Sequence, residues 1–320
     1  MKKTLLLAAS CILIVASAVI SIHKINVKPA EKENYCLTGS FIADMPSKED
    51  IISYGQGYGK KPFLVLIFID WENFVDEDIL EGIFSQGSFP VITWEPLYWA
   101  DKSGPSFKDI LSGEFDEYID KFANSLARYE KTVYLRFAHE MNGNWYPWSS
   151  AVVGAENYKA VHRYIKNKFD SLGMDNIKWI FSINWENVPK DNHYRDSYPG
   201  DSYVDYIGID GYNWGVSQPW SKWMSFNEIF GPIYKEVCDL CDKEIIIAEF
   251  SSTSKGGDKT KWIADAFSDI KRMEKVRGFI LFNVDKETDW SFPPESAYGK
   301  ALKGQLEDPY FLGELNGKEK

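Results

Sequence analysis

The sequence predicts a single (β/α)8 barrel, on three observations. Eight apolar runs rich in β-branched residues recur between residues 37 and 284. None of them alternates apolar with polar, as expected of strands buried on both faces of a parallel sheet. Helical periodicities separate several of the runs, and loops rich in Trp, Asn, Asp and Gly follow them, the order of an alternating α/β fold. At about 150 residues per domain, 320 residues would allow two domains, but alternating barrels commonly use about 250 in one. An open doubly wound sheet is the other candidate, and no glycine-rich phosphate fingerprint follows the first run to support it.

At the amino end, Lys2 and Lys3 precede an apolar run from Leu5 to Ile20 that only Ser10 and Ser17 interrupt. A basic start before such a run reads as an export signal. Ala16-Ser17-Ala18 offers a small-residue cleavage site, whereas Val19 and Ile20 lengthen the run towards the ~17–25 residues that span a bilayer. A cleaved signal, an uncleaved anchor and a buried helix all remain open for residues 1–22. Cys11 faintly resembles a lipidation site, but the apolar run before it is too short. Residues 23–35, with Lys24, Lys28, Pro29, Glu31, Lys32 and Glu33, read as a polar linker, and 36–320 as one catalytic domain. Either export reading places that domain outside the cytoplasm, secreted or held at the membrane by its amino end.

The expected strands are Leu37–Ile42, Phe63–Ile69, Phe89–Thr93, Thr132–Phe137, Ile177–Ile183, Val204–Ile209, Glu244–Ala248 and Gly278–Val284. Expected helices cover Phe115–Tyr129, Ala155–Leu172, Phe226–Leu240 and Lys259–Glu274. The 44% hydrophobic and 26% charged fractions exclude a disordered or fibrous chain. With 36 Lys+Arg against 47 Asp+Glu the net charge is -11, which argues against nucleic acid as a partner and against acidic polysaccharides as substrates. The four cysteines make no disulfide scaffold. Cys238 and Cys241 read as small buried residues or a local disulfide rather than a redox pair, and no second ligand pair accompanies them to make a zinc site.

In such barrels function gathers in the loops after the strands' carboxyl ends. Trp94, Glu95 and Trp99 follow the third strand, and His139, Glu140, Asn142, Trp145 and Trp148 the fourth. The fifth leads to Asn184, Trp185 and Glu186, the sixth to Asp210, Tyr212 and Trp214, the seventh to Glu249, and the eighth to Asp285 and Trp290. Aromatic rings beside carboxylates are the lining expected of a sugar-binding cleft. Glu140 and Glu249 follow the fourth and seventh strands. Opposed across the mouth at about 5–5.5 Å, they would suit a retaining glycosidase, one protonated and one bare. Either alone would read as one half of a structural ion pair, with Arg136 as a partner.

The stretch from Arg136 to Trp148, RFAHEMNGNWYPW, resembles the acid/base motif of glycoside hydrolase family 26, the β-mannanases and their relatives. Residues 113–119, 179–184 and 198–214 are similar to further family segments in order and spacing, and Ile246-Ile-Ala-Glu249 resembles the nucleophile strand. The resemblance spans roughly residues 36–315 and implies Glu140 as acid/base, Glu249 as nucleophile and retention of configuration. It further implies that His139 positions the acid/base and bonds substrate, and that Tyr212 donates to the nucleophile. Asp210 would orient its neighbours or accept a sugar hydroxyl, Arg136 would hold a carboxylate, Trp145 and Trp290 would form stacking floors, and Asn184 would bond the sugar.

On the residues alone, His139 equally fits a hydrogen-bonded core histidine, Trp148 and Trp179 read as core, and Met141 as packing. Trp185 and Trp214 stay undecided. Trp94 and Glu95 are assigned to substrate binding, and Arg136 is grouped with them. Where mannan-cleaving members usually carry histidine, this loop reads Trp94-Glu95-Pro96, which is more similar to the branch cleaving β-1,3-1,4-glucans. A monomeric, exported endo-β-glycanase without metal or organic cofactor is therefore expected, with β-1,3-1,4-glucan favoured over β-mannan. The competing class is a non-catalytic or trimming exopolysaccharide-binding or assembly protein on the same barrel.

Overall fold

The computed structural model describes residues 34–315. The readings made for residues 1–22 and for most of the 23–35 linker, Cys11 included, lie outside the described residues.

Eight strands form a closed parallel barrel: β1 (Gly39–Phe41), β2 (Leu64–Ile69), β3 (Phe89–Trp94), β4 (Val133–Phe137), β5 (Ile177–Asn184), β6 (Tyr206–Asn213), β7 (Glu244–Ser252) and β8 (Val276–Phe282). Closure comes from β1, which pairs β2 through Ser40 and Val65, and β8 through Ser40 and Leu281. Two-residue segments, Cys36–Leu37 and Phe311–Leu312, pair in parallel beside β1 and tie the carboxyl end of the fold to its start.

The side chains divide by strand parity. Leu64, Leu66, Val91, Tyr134, Ile180, Ile246 and Ile280 belong to a cluster inside the barrel, while Ile67, Ile92, Leu135, Phe181, Ile207, Ile247 and Phe279 join the larger cluster under the helices. Both faces are therefore apolar, which is why the strands read as continuous runs. Towards the carboxyl ends the inward positions change character, to Thr93, Arg136, Ser182, Asn184, Asp210 and Tyr212. Gly208 is required small among them, since a Cβ there would lie 2.4 Å from the Ser182 hydroxyl oxygen.

One irregularity sets the site. Between β6 and β7, Ile209 pairs Ile247 but Asp210 pairs Glu249, so β7 carries one extra residue at Ala248. The same slip appears against β8, where Ile247 pairs Phe279 and Phe250 pairs Leu281. Ile246 and Ala248 face inward and Phe250 faces the helices. Strict alternation would have sent Glu249 outward with Ile247; the bulge reverses the phase and turns it into the barrel.

The expected helices form at Asp116–Ala127, Ala155–Ser171, Phe226–Leu240 and Lys259–Arg272. Among the further helices that the sequence did not reveal, the three longest cover Lys48–Tyr58, Glu77–Ser85 and Ala297–Leu306. The first and last bury only three residues each and contain internal glycines, so their apolar stripes are faint. The strands β6 and β7 run four residues past their expected ends. Asp210, Tyr212 and Glu249 therefore stand on strands rather than in loops, a correction that matters for their rigidity.

Candidate active site

Arg136, on β4, is completely buried at the upper end of the barrel. A guanidinium stays charged at any relevant pH and needs partners where water is absent. One terminal nitrogen donates to Glu249 Oε1 at 2.9 Å and to Thr93 Oγ1 at 3.1 Å; the other donates to Asp210 Oδ2 at 2.7 Å. Ser182 donates to the same Asp210 oxygen at 3.1 Å. Tyr212 donates its hydroxyl to Glu249 Oε2 at 2.5 Å, so both Glu249 oxygens are held. Burial pushes the Tyr212 phenol well above its ordinary range, and the Glu249 charge adds to the shift, so the phenol keeps the proton it donates.

Glu140 reaches the same place from the strap after β4. Ala138 and Glu140 adopt left-handed backbone, with φ of 50° and 53°, which is rare outside glycine and costs about 1–3 kcal/mol each. The strap is tied down by bonds from the Ala138 amide to the Trp94 carbonyl and from the Glu140 amide to the Ser182 carbonyl. Asn142 staples it to β5, accepting from the Asn184 amide at 2.8 Å and donating to the Asn184 carbonyl at 2.9 Å. The Glu140 carboxyl accepts from Asn184 Nδ2 and from Trp145 Nε1, both at 2.8 Å. Burial pushes this carboxyl up to about 7 and the Glu249 charge adds to it, against the opposing pull of Asn184, Trp145 and Arg136. The two carboxyls thus lie within each other's field, one bonded to a permanent cation and the other only to neutral donors.

Glu95 is a further buried carboxyl at this end, beside Asp210, Glu140 and Glu249. It accepts from Trp99 Nε1 at 2.6 Å, and burial raises its pKa, with Glu249 adding to the rise. His139 is buried against Phe68, Tyr146 and Trp148, and its Nδ1 has no partner. Burial, with Arg136 next, holds its imidazole well below the ordinary range, so the ring is neutral at pH 7. Trp145 is 45% exposed while its indole nitrogen holds Glu140, which leaves its ring available to a ligand.

Three expectations need correction. Trp94 is fully buried and stacks between Trp71 and Phe122 at 4.5 and 4.1 Å. Its position on β3 points it under the helices, so it does not bind substrate. Arg136 holds two carboxylates, as expected, but it is sealed beneath them and does not reach a sugar, so it does not belong with the substrate-binding residues. Trp290 is 1% exposed, covered by Tyr212 and Trp214 at 4.9 and 4.8 Å. It backs Tyr212 rather than offering a stacking face.

Trp148, Trp179 and Met141 are core, as read. Trp214 is half-buried and so is Trp185. Cys238 and Cys241 are free thiols, half-buried. Sequence reasoning missed Thr93, Ser182 and the role of Asn142. The signal for the first two was present, as polar residues inside otherwise apolar strand runs. It also missed Lys286, whose ammonium stands 5.8–6.0 Å over the rings of Phe41, Phe68 and Phe282.

Replacing Arg136→Met should strip the buried carboxylates of their cation and cost about 3–5 kcal/mol of stability. Urea denaturation checks this. The loss should shrink when Asp210→Asn and Glu249→Gln are added, because no buried charge is then left alone.

Known proteins resemble this chain in sequence and in fold. Residues 85–268 match the profile of Glycosyl hydrolase family 26. Endoglucanase H of Acetivibrio thermocellus is 38% identical over 283 residues, which is 85% of this chain and 31% of that protein. A mannan endo-1,4-beta-mannosidase of Bacillus subtilis is 26% identical over 50% of each chain. The chain thus spans about a third to a half of the length of these relatives. In fold, it superposes on the Bacillus subtilis mannanase man26 with a TM-score of 0.67 at 21% identity, covering 90% of both chains. With the profile covering more than half of its length, the chain belongs to glycosyl hydrolase family 26.

Proposed function

We propose that the protein is an endo-acting β-glycanase that cleaves by double displacement with retention, with β-1,3-1,4-glucan as its favoured substrate and β-mannan second. The observation that carries the chemistry is the unequal treatment of two buried glutamates. Glu249 is bonded by Arg136 and Tyr212, groups that favour a bare carboxylate. Glu140 meets only neutral donors, and burial lifts its carboxyl to about 7, so it can hold a proton near neutral pH.

The steps follow from that difference. Glu140 gives its proton to the glycosidic oxygen as the bond to the anomeric carbon breaks. A Glu249 oxygen attacks that carbon and forms a glycosyl ester, and the leaving sugar departs with the proton. Glu140, now a carboxylate, takes a proton from water while the water oxygen attacks the anomeric carbon. Glu249 leaves as carboxylate and configuration is restored. Arg136 and Tyr212 hold the nucleophile in place throughout, and Asn184 keeps Glu140 over the site.

The preference for glucan rests on the Trp94-Glu95-Pro96 loop and on the greater identity to a protein named an endoglucanase than to one named a mannosidase. Glu95 supplies the acceptor in that loop. We further propose that residues 1–22 direct the chain out of the cytoplasm, on the strength of Lys2, Lys3 and the apolar run that follows.

The acid role makes a signed prediction. Because Glu140 acts when protonated, kcat/KM on polysaccharide should fall as pH rises through about 7, and a pH–rate profile reads it directly. Glu140→Ala should remove this limb and damage natural polysaccharide far more than an aryl glycoside with a good leaving group. Glu249→Ala should abolish turnover of both; equal loss from the two variants on both substrates would overturn the division of roles. Incubation with lichenan, barley β-glucan, mannans, xylans and laminarin, with products sized, should show internal cleavage of the first two. Faster cleavage of mannan would overturn the substrate assignment. Mass measurement of the mature protein from its producing cells should show the amino-terminal segment removed; an intact Met1 would indicate the anchored form.

A further inference from the structure

Trp220 is 71% exposed, more than any other large hydrophobic side chain among the described residues. It does not sit on a loose loop. The segment between β6 and the helix Phe226–Leu240 is closed at its base by Asn213, whose side-chain oxygen accepts from the amides of Gly215 and Met224. Ser221 bonds the carbonyls of Gly215 and Gln218, the Val216 amide donates to the Lys255 carbonyl, and Trp262 donates to the Met224 carbonyl. The backbone on both sides of Trp220 is therefore fixed, and the indole is left in water. A large apolar ring held out at a fixed place marks a contact surface.

The ring also connects to the reacting centre. Trp220 lies 5.4 Å from half-buried Trp214, Trp214 lies 6.3 Å from Tyr212, and Tyr212 donates to Glu249. Trp290 supports both Trp214 and Tyr212 from behind. A line of aromatic rings thus runs from the nucleophile outward along one side of the barrel mouth.

We propose that Trp220, with Trp214 beside it, is a distal stacking subsite that takes a pyranose ring of the same glycan chain whose linkage lies at Glu140 and Glu249. The occupant follows from continuity. A chain threaded across the carboxylates passes Tyr212 and meets Trp214 and then Trp220, and the C–H face of a pyranose offers the flat apolar partner an exposed indole lacks. The inference rests on the reading of the site as glycan-cleaving and adds to it a device for holding long chains.

The test uses the full chain. Trp220→Ala should lower kcat/KM on barley β-glucan relative to that on a short aryl glycoside by about tenfold, the worth of one well-stacked ring. Trp220→Tyr, which keeps an aromatic face, should recover much of the ratio. In gels containing barley β-glucan or glucomannan, Glu249→Ala should be retarded and Glu249→Ala/Trp220→Ala should migrate nearly free. Hydrolysis with an unchanged ratio and unchanged retardation would overturn the subsite while leaving the enzyme reading intact. Retardation that depends on Trp220 in a protein that cuts no glycan would uphold the subsite and remove the enzyme reading. A dimer that Trp220→Ala dissolves, with glycan behaviour unaltered, would make the ring a protein contact and overturn the proposal, as would no retardation of either protein.

Discussion

A guanidinium sealed from solvent fixes the geometry of the whole upper barrel. Arg136 cannot lose its proton or reach water, so Asp210 and Glu249 must meet it, each from a different strand. That requirement orders β4, β6 and β7 relative to one another at their carboxyl ends, where the apolar interior stops. Asp210 is the second partner of the guanidinium, fully buried and further bonded by Ser182. Its presence frees Glu249 to share the cation while keeping one face towards the mouth. A single Arg–Glu pair would have offered Glu249 less positional control, because the guanidinium itself would have lacked a second anchor.

The bulge at Ala248 is the backbone counterpart of that charge arrangement. Arg136 can bind Glu249 only if β7 turns that side chain inward, and the parity of the strand denies it until one extra residue is inserted. The left-handed residues Ala138 and Glu140 do similar work on the other side, turning the strap after β4 back over the opening. Both carboxyl groups are thus delivered by departures from regular backbone. The surrounding regular barrel, with its two apolar faces, supplies the stability that sustains them.

Much of the barrel was legible from the apolar runs, because burial on both faces leaves a continuous signal. Strand ends were not. Gly208-Ile-Asp-Gly-Tyr-Asn213 contains two glycines and polar residues, so its pairing with β5 and β7 is decided by the neighbouring strands rather than by local preference. Trp94 shows the opposite limit. Its place beside Glu95 suggested a cleft residue, but adjacent strand positions face opposite ways, and no composition rule tells which of two neighbours points in. Trp290 misled for a related reason, since exposure depends on Tyr212 and Trp214 closing over it. Glu140 and Glu249 were recognisable by motif, yet the bulge that aims one and the strap that aims the other left no mark in the residue pattern.

The contrast between Glu140 and Glu249 is finally a matter of contact with one cation. Both are buried, both feel each other, and the same desolvation opposes charge on each. Glu249 has Arg136 in direct contact, which compensates its charge; Glu140 has Asn184 and Trp145, neutral donors that orient the carboxyl without supplying a full positive charge. His139, the nearest sequence neighbour that could have supplied one, is held neutral by burial and by Arg136 itself. Burial first, and the cation that secures Glu249 second, thus keep another cation from forming beside Glu140. Burial and the Glu249 charge leave Glu140 able to keep its proton near neutral pH, against the opposing pull of Asn184, Trp145 and Arg136.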